Sequence, residues 1–423
     1  MKIKFYIVVV FSSLLFSCSI SRNSTKQSKG SAVTGTYRNL FSEAGYTSAA
    51  ITEKLNGAFN KLFHGNTNTE TVYYNDSSNA DGKLAYIHDV NNNDVRSEGM
   101  SYGMMIAVQL NKKQEFDALW NWSKSYMYNS DPSHPANGFF SWSVKTNRTI
   151  NDAMPAPDGE EYFVTALYFA SARWGNGQGI YNYQAEADRL LNDMLHRSLV
   201  KGITKNGPIT AVNLFDTIAK MVRFTPDLIN ANHTDASYHL PAFYEVWSRI
   251  GPKSDRTFWK SAAQTSRDYF EKTANGKTAL TPEYGNFDGT PWAAPWNKGS
   301  ADFRFDARRC VMNWSLDWEW WSVDKRVQDR SNRLLDFFTA EGIHTYGNQY
   351  SLSGKKLEDG QPTSLIAMNA TAALAATDAR GTDFVKALWN TAVPTGEYRY
   401  YDGMLYMIAL LICSGEYKCY IGN

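Results

Sequence analysis

The stretch 159-GEEYFVTALYFASARW-174 sets the fold class. Phe163, Leu167, Ala170 and Trp174 recur at steps of four, three and four, which puts them on one face of an α-helix. The same period predicts about twelve helical segments: 47–63, 98–109, 113–128, 159–174, 183–198, 236–250, 254–274, 307–322, 324–340, 364–377, 381–391 and 403–414. Long connections rich in Gly, Asn and Pro run through 64–97, 129–158, 199–235, 275–306 and 341–363. They alternate with short ones such as 110-LNK-112, so the helices pair into hairpins. A ring of helix pairs with its functional loops on one rim fits that alternation. No internal repeat and no second domain can be seen.

Composition narrows what such a ring can bind. With Lys+Arg 43 against Asp+Glu 42 the net charge is +1, which offers no field for a polyanion and argues against nucleic acid as a partner. The 13 Trp, 25 Tyr and 22 Phe belong mostly to the core, yet such abundance also suits a cleft that stacks on neutral sugar rings. The seven His form no HExxH or Cys/His cluster, and His233 and His239 have nothing nearby to complete a metal site. No metal and no cofactor is expected.

Residues 1–18 read as an export signal, with basic Lys2 and Lys4 before an apolar run too short to span a bilayer comfortably. Leu15-Phe16-Ser17-Cys18 is similar to a bacterial lipobox, so Cys18 is expected to carry lipid; plain signal cleavage near Ser17 or Ser19 is the simpler alternative. Residues 19–35 then form a flexible tether, and 36–423 one catalytic domain. The expected location is that of an exported lipoprotein, held to a membrane only through that lipid, in the periplasm or on the outer cell surface, and monomeric. Cys310, Cys413 and Cys419 remain; a 413–419 pair rests on one C-x5-C spacing, and buried free thiols are the preferred reading.

Acidic residues beside Gly and aromatics recur at three junctions between a long loop and a helix: Glu98 in 97-SEGMSYGMM-105, Asp158 in 156-APDGEEYF-163 and Asp306 in 303-FRFDARRC-310. Loop ends of separate elements on a rigid scaffold are where catalytic groups commonly gather. Each also has a structural reading, since Asp158 and Asp306 precede helices as N-caps do and Glu98 can be a first-turn acid. Just upstream, Asp89, Asn91 and Asn93 alternate like calcium ligands, but an EF-hand needs Gly where Asp94 stands and Glu where Met100 stands. That ladder is read as a polar turn leading into the helix of Glu98.

Taken together, DVRSEGMSYGMM, APDGEEYF, 237-SYHLPAFYE-245, FDARRC and 398-YRYYDGMLYM-407 resemble, in order over roughly 36–415, family eight of the glycoside hydrolases. The signature is Ser97-Glu98-Gly99 with Tyr102-Gly103, and the likeness is to the xylan-acting branch. The resemblance implies an (α/α)6 barrel, an inverting mechanism and a substrate of xylan or xylo-oligosaccharide. Glu98 corresponds to the general acid, Asp306 to the general base, and Asp158 to a third carboxylate that binds sugar hydroxyls and helps hold the proton on Glu98. Arg309 corresponds to an Arg bracing the base or the sugar, whose plain alternative is a surface ion pair. Tyr238, Tyr400 and Tyr401 correspond to cleft positions near the reactive water and sugar, and Tyr102 lies in the signature. Trp142, in 138-GFFSWSV-144, suits a stacking platform or the core.

Two expectations carry tension. A helix N-terminus favours the anion and would depress the pKa of Glu98, whereas a general acid needs it raised. Apolar Met100, Met104 and Tyr102, together with repulsion from Asp158, would have to prevail. The cutting mode is the other. Exo-acting members of the branch, which release xylose from the reducing end, carry Leu-His-Pro in a loop that blocks the cleft. Gly360-Gln361-Pro362 stands there in this chain and favours endo cleavage, with reducing-end release as the alternative. An endoglucanase, a non-catalytic glycan-binding lipoprotein and a polysaccharide lyase are the remaining readings; the balanced charge shows no basic cleft of the kind a lyase of uronate chains needs.

Overall fold

The computed structural model of the protein describes Met1 and residues 29–421. The expected export signal after Met1, Cys18 and the expected tether as far as residue 28 lie outside the described residues. Ser31–Thr34 forms one helical turn with Ser31 buried, and the Ser31 hydroxyl donates to the Glu319 carbonyl at 2.8 Å. Packed structure therefore begins by residue 30 rather than at 36.

Twelve helices of nine or more residues build the described chain: α1 Ser48–His64, α2 Ser97–Gln109, α3 Lys113–Tyr126, α4 Pro157–Trp174, α5 Tyr183–His196, α6 Pro241–Ile250, α7 Arg256–Thr273, α8 Arg309–Trp321, α9 Arg326–Glu341, α10 Thr363–Thr371, α11 Gly381–Asn390 and α12 Arg399–Cys413. Each expected segment is present. The segment expected from 236 starts at Pro241, because Ala236–Tyr238 is a separate 3-10 turn and Pro favours the first helical position. The one expected to reach 377 stops at Thr371 and continues as a 3-10 turn, Ala372–Leu374.

The even-numbered helices form the inner ring. α2 packs on α4, α4 on α6, α6 on α8, α8 on α10, α10 on α12, and α12 closes back onto α2. Their sequences explain the placement. Met100 through Gln109 of α2 and Gly403 through Cys413 of α12 are buried on every face, as helices apolar all round must be. The odd-numbered helices α3, α5, α7, α9 and α11 each pack on the inner helix before them in the chain, and α1 packs on α12. They show polar faces outward and bury stripes such as Ile51, Leu55, Ala58, Phe59, Leu62 and Phe63 of α1. This is the expected (α/α)6 barrel. Its core includes fully buried Trp120, Trp122, Trp247, Trp259, Trp314 and Trp320.

Short connections lead from inner to outer helices, so each such pair runs antiparallel and all inner N-termini meet at one rim. The long connections, 65–96, 127–156, 197–240, 274–308 and 342–362, all arrive at that rim. They contain short antiparallel strands that the helical period did not reveal. Asp94–Arg96 pairs with Ser143–Lys145, which pairs with Ile150–Asp152, tying the approach to α2 to the approach to α4. His233–Asp235 pairs with Tyr284–Asn286 and ties the approaches to α6 and α8.

Cys310, Cys413 and Cys419 are buried free thiols, in keeping with the preferred reading. His239 bonds Ser266 and Thr234 and stacks on Tyr269, and His233 stacks on Trp292, so neither is arranged as a ligand. Among the described residues no group of three or more His, Cys, Asp or Glu is placed to hold a metal ion, and no helix is long and apolar enough to cross a membrane.

Candidate active site

The three carboxylates meet at the inner-helix rim around one guanidinium. Glu98 is the second residue of α2, Asp158 the second residue of α4, and Asp306 lies in the 3-10 turn Phe305–Arg308 that runs into α8. The first residue of α8 is Arg309, which is 2% exposed. Its Nη1 lies 2.7 Å from Glu98 Oε2, 2.7 Å from Asp158 Oδ2 and 2.8 Å from the Tyr102 hydroxyl, and its Nη2 lies 3.2 Å from Asp306 Oδ1. Arg309 is thus no surface ion pair. Nη1 carries two hydrogens for three acceptors, which suits a centre where one carboxyl carries a proton.

Local sequence explains the convergence. A Cβ on Gly159 would stand 2.5 Å from the Ser97 hydroxyl, so only glycine lets the start of α4 press against the start of α2. A Cβ on Gly99 would stand 2.6 Å from the Tyr400 ring. That ring lies against the first turn of α2, where its hydroxyl donates to Glu98 Oε1 at 2.8 Å. Tyr401, the next residue, donates to Asp306 Oδ1 and the Phe305 carbonyl, each at 3.1 Å. The capping alternative for Asp158 does not hold: Ala156 is the cap residue, Pro157 opens the helix, and Asp158 Oδ1 accepts only from the Gly159 amide at 2.9 Å.

The electrostatics of Glu98 have the direction a general acid needs. Its carboxyl is raised to about 7: burial is the largest cause, Arg309 pulls it down, Asp158 and then Asp306 push it up, and the Tyr400 hydroxyl opposes them. Desolvation therefore outweighs the pull of the guanidinium. Asp158 is also raised by burial, against the pull of Arg309. Asp306 has the more open setting, with a side chain 26% exposed against 15% for Glu98 and 5% for Asp158. One guanidinium thus holds both Glu98 and Asp306, the first through Nη1 and the second through Nη2.

Of the other expected residues, Tyr238 has the Arg309 guanidinium carbon 5.9 Å from its ring centroid. Trp142 is half-buried beside the strand that leads to Glu98. Its carbonyl accepts from the Ser97 amide at 3.0 Å, and the Arg96 guanidinium sits 5.5 Å from its ring. The Asp/Asn ladder is a turn closed by Asp89 and Asp94, whose carboxylates pair with Arg96. It fixes the strand that delivers Glu98.

Two carboxyls went unforeseen. Asp235 is fully buried with Oδ1 accepting from the Ser237 amide and hydroxyl, each at 2.7 Å. Burial and then Asp306 push its pKa well above the usual carboxylate range. Glu283 is raised to about 7 by burial and Asp306. Asp235 stands two residues before 237-SYHLPAFYE-245, a signal that could have marked it; Glu283, in 281-TPEYGNF-287, had none.

The profile of glycosyl hydrolases family 8 matches residues 64–415, and the chain belongs to that family. It is accordingly a glycoside hydrolase of an inverting family. Among curated relatives, the reducing-end xylose-releasing exo-oligoxylanase Rex8A of Paenibacillus barcinonensis is 41% identical over 394 residues, 93% of this chain and 99% of that protein. A solved Rex8A double mutant, with adjacent Leu and His changed to Ala and Ser, is similar at TM-score 0.86 and 39% identity over 93% of this chain and 100% of that one. A xylanase of Teredinibacter turnerae, solved as a catalytic mutant with xylohexaose, is 58% identical with TM-score 0.92 over the same shares. On cutting mode, the curated name favours the reducing-end alternative over the endo expectation drawn from the sequence.

Proposed function

We propose that the protein hydrolyses β-1,4-xylosidic bonds of xylan or xylo-oligosaccharides with inversion, Glu98 acting as general acid and Asp306 as general base. The observation that carries this is the shared guanidinium of Arg309, which gathers a buried, proton-retaining Glu98 and a more open Asp306 at one rim. Glu98 gives its proton to the glycosidic oxygen as the C1–O bond breaks. Asp306, aligned by the Tyr401 hydroxyl, takes a proton from the water that attacks C1 from the opposite face, and the new hemiacetal is α. Asp158 binds hydroxyls of the sugar at the cleavage point and keeps Glu98 protonated. Arg309 balances the charge that passes from Asp306 to Glu98 over the cycle. The choice of xylose rests on the names of the relatives.

For where the chain is cut, we favour internal cleavage. A Cβ added at Gly360 would meet only open space, and the Gln361 side chain is tied back to its own loop, donating to the Ile343 carbonyl at 2.7 Å. The xylohexaose complex of the 58% identical relative agrees with a cleft that takes a long chain. Reducing-end release is the second reading, supported by the name of the curated relative Rex8A. Chromatography of products from xylohexaose and from its alditol tests both. Cleavage of the alditol into several shorter fragments is the expected result; release of xylose from xylohexaose alone, with the alditol left intact, would replace endo by exo action. The Glu98→Gln variant separates an enzyme from a glycan binder, since turnover is lost while binding persists. We further propose a lipid on Cys18, to be checked by metabolic labelling with a palmitate analogue against Cys18→Ser.

A further inference from the structure

Beyond the carboxylate centre, aromatic rings continue along the loops that precede α6 and α8. The Tyr238 ring, beside Arg309, lies parallel to Phe224 at 6.3 Å and 7°. Phe224 in turn neighbours Trp296 at 6.1 Å and 35°. Trp296 also makes a T-shaped contact with Trp292 at 5.3 Å, and Trp292 is stacked on His233 at 3.6 Å and 5°. The inner rings are partly or fully covered, whereas Trp296 is 57% exposed. A large indole held rigidly by two neighbours and still open to water is costly as a structural device, because it leaves much of its apolar area unburied.

Polar groups flank the same wall. Asn297, next to Trp296, donates to Glu283 Oε2 at 3.4 Å and accepts from Arg304 Nη1 at 3.2 Å. The segment that carries Trp296 is thus tied to the loop that presents Asp306. An exposed ring with side-chain hydrogen-bonding groups beside it is the combination that recognises a pyranose, whose faces are apolar and whose edge bears hydroxyls.

We propose that Trp296 is a stacking platform for a sugar unit of the substrate chain away from the cleavage point, reached from Arg309 along Tyr238 and Phe224. The proposal rests on the reading of the protein as a xylan hydrolase and adds a residue that sets its chain-length preference. Because the indole is held in place before binding, little conformational entropy is lost when a sugar covers it. Short oligosaccharides that do not reach the platform gain nothing from it.

The test compares Trp296→Ala and Trp296→Phe with the wild type on xylotriose and xylohexaose. The ratio of kcat/KM for the hexaose to that for the triose should fall about five- to tenfold in the Ala variant and much less in the Phe variant. A ratio unchanged in both variants would overturn the platform. So would an equal loss on both substrates, which marks a general structural effect. In the Glu98→Gln background, xylohexaose titrated against Trp fluorescence gives the same comparison without turnover, and weaker binding on removal of Trp296 is expected. A wild type that hydrolyses neither oligosaccharide yet binds the hexaose through Trp296 would sink the hydrolase reading and keep the platform.

Discussion

Replacing Asp158 by Asn removes one negative charge from beside the proposed acid while keeping shape. Asp158 and Glu98 each lie 2.7 Å from the same Arg309 nitrogen, so their nearest oxygens are no more than about 5 Å apart. Two unit charges at that distance, in an effective dielectric of about 20, repel by roughly 3 kcal/mol, or about two pKa units when both are fully charged. Asp158 is itself pushed toward its neutral form by burial, so about one unit is the realistic expectation. Losing Asp158 also frees Arg309 to act more strongly on Glu98, which has the same sign. Glu98 must be protonated to donate, so activity falls as pH rises through its pKa of about 7. The alkaline limb of kcat/KM on xylohexaose should therefore move about one unit toward acid, from near 7 to near 6. It should stop well above 4.5, because burial, the largest cause of the shift, is untouched. A limb that stays in place or moves to higher pH would refute this role for Asp158.

Other consequences follow from the same geometry. The folded-state pKa of Glu98 is raised, so folding favours its protonated form; that contribution is full below the unfolded value of 4.5 and is lost as pH climbs through about 7. Glu98→Gln, which stays neutral, should be more stable than the wild type by on the order of 2 kcal/mol at pH 8 and little different at pH 4; a Tm difference independent of pH would contradict this. Arg309→Lys keeps one charge but cannot reach three carboxylates and Tyr102 at once, and kcat should drop by more than about a hundredfold with the fold retained by circular dichroism. Gly99→Ala places a methyl against the Tyr400 ring, and a loss of about 1–3 kcal/mol in denaturant unfolding, with reduced kcat, is expected.

The helices were legible because their apolar period is local and long. Phe163, Leu167, Ala170 and Trp174 needed no partner to be read, and they lie in α4 as expected. Strands such as Asp94–Arg96 and His233–Asp235 were not, since three residues in a Gly- and Asn-rich loop carry too few positions for a period of two to register. The apolar period of α12 registers only from 403. The helix instead begins at Arg399, whose buried guanidinium is anchored by the carbonyls of Thr71, Gly396 and Thr67 from distant loops. Glu98, Asp158 and Asp306 could be picked out by their motifs. What joins Glu98 and Asp158 to Arg309 depends on contacts across 211 and 151 residues of chain, and only Asp306 is its local neighbour. Asp235 and Glu283 were missed for that reason: their proximity to Asp306 arises from the pairing of two loops, which no local pattern records.

The central claim is that Glu98 and Asp306 work on opposite faces of the sugar, with a water between. Proton NMR of the first turnovers on xylohexaose tests it most directly. The new reducing end should appear first as the α-anomer and relax to the equilibrium mixture by mutarotation. A β-anomer as the first product would mean retention through a covalent intermediate, and would contradict the assignment of Asp306 as a base acting on water.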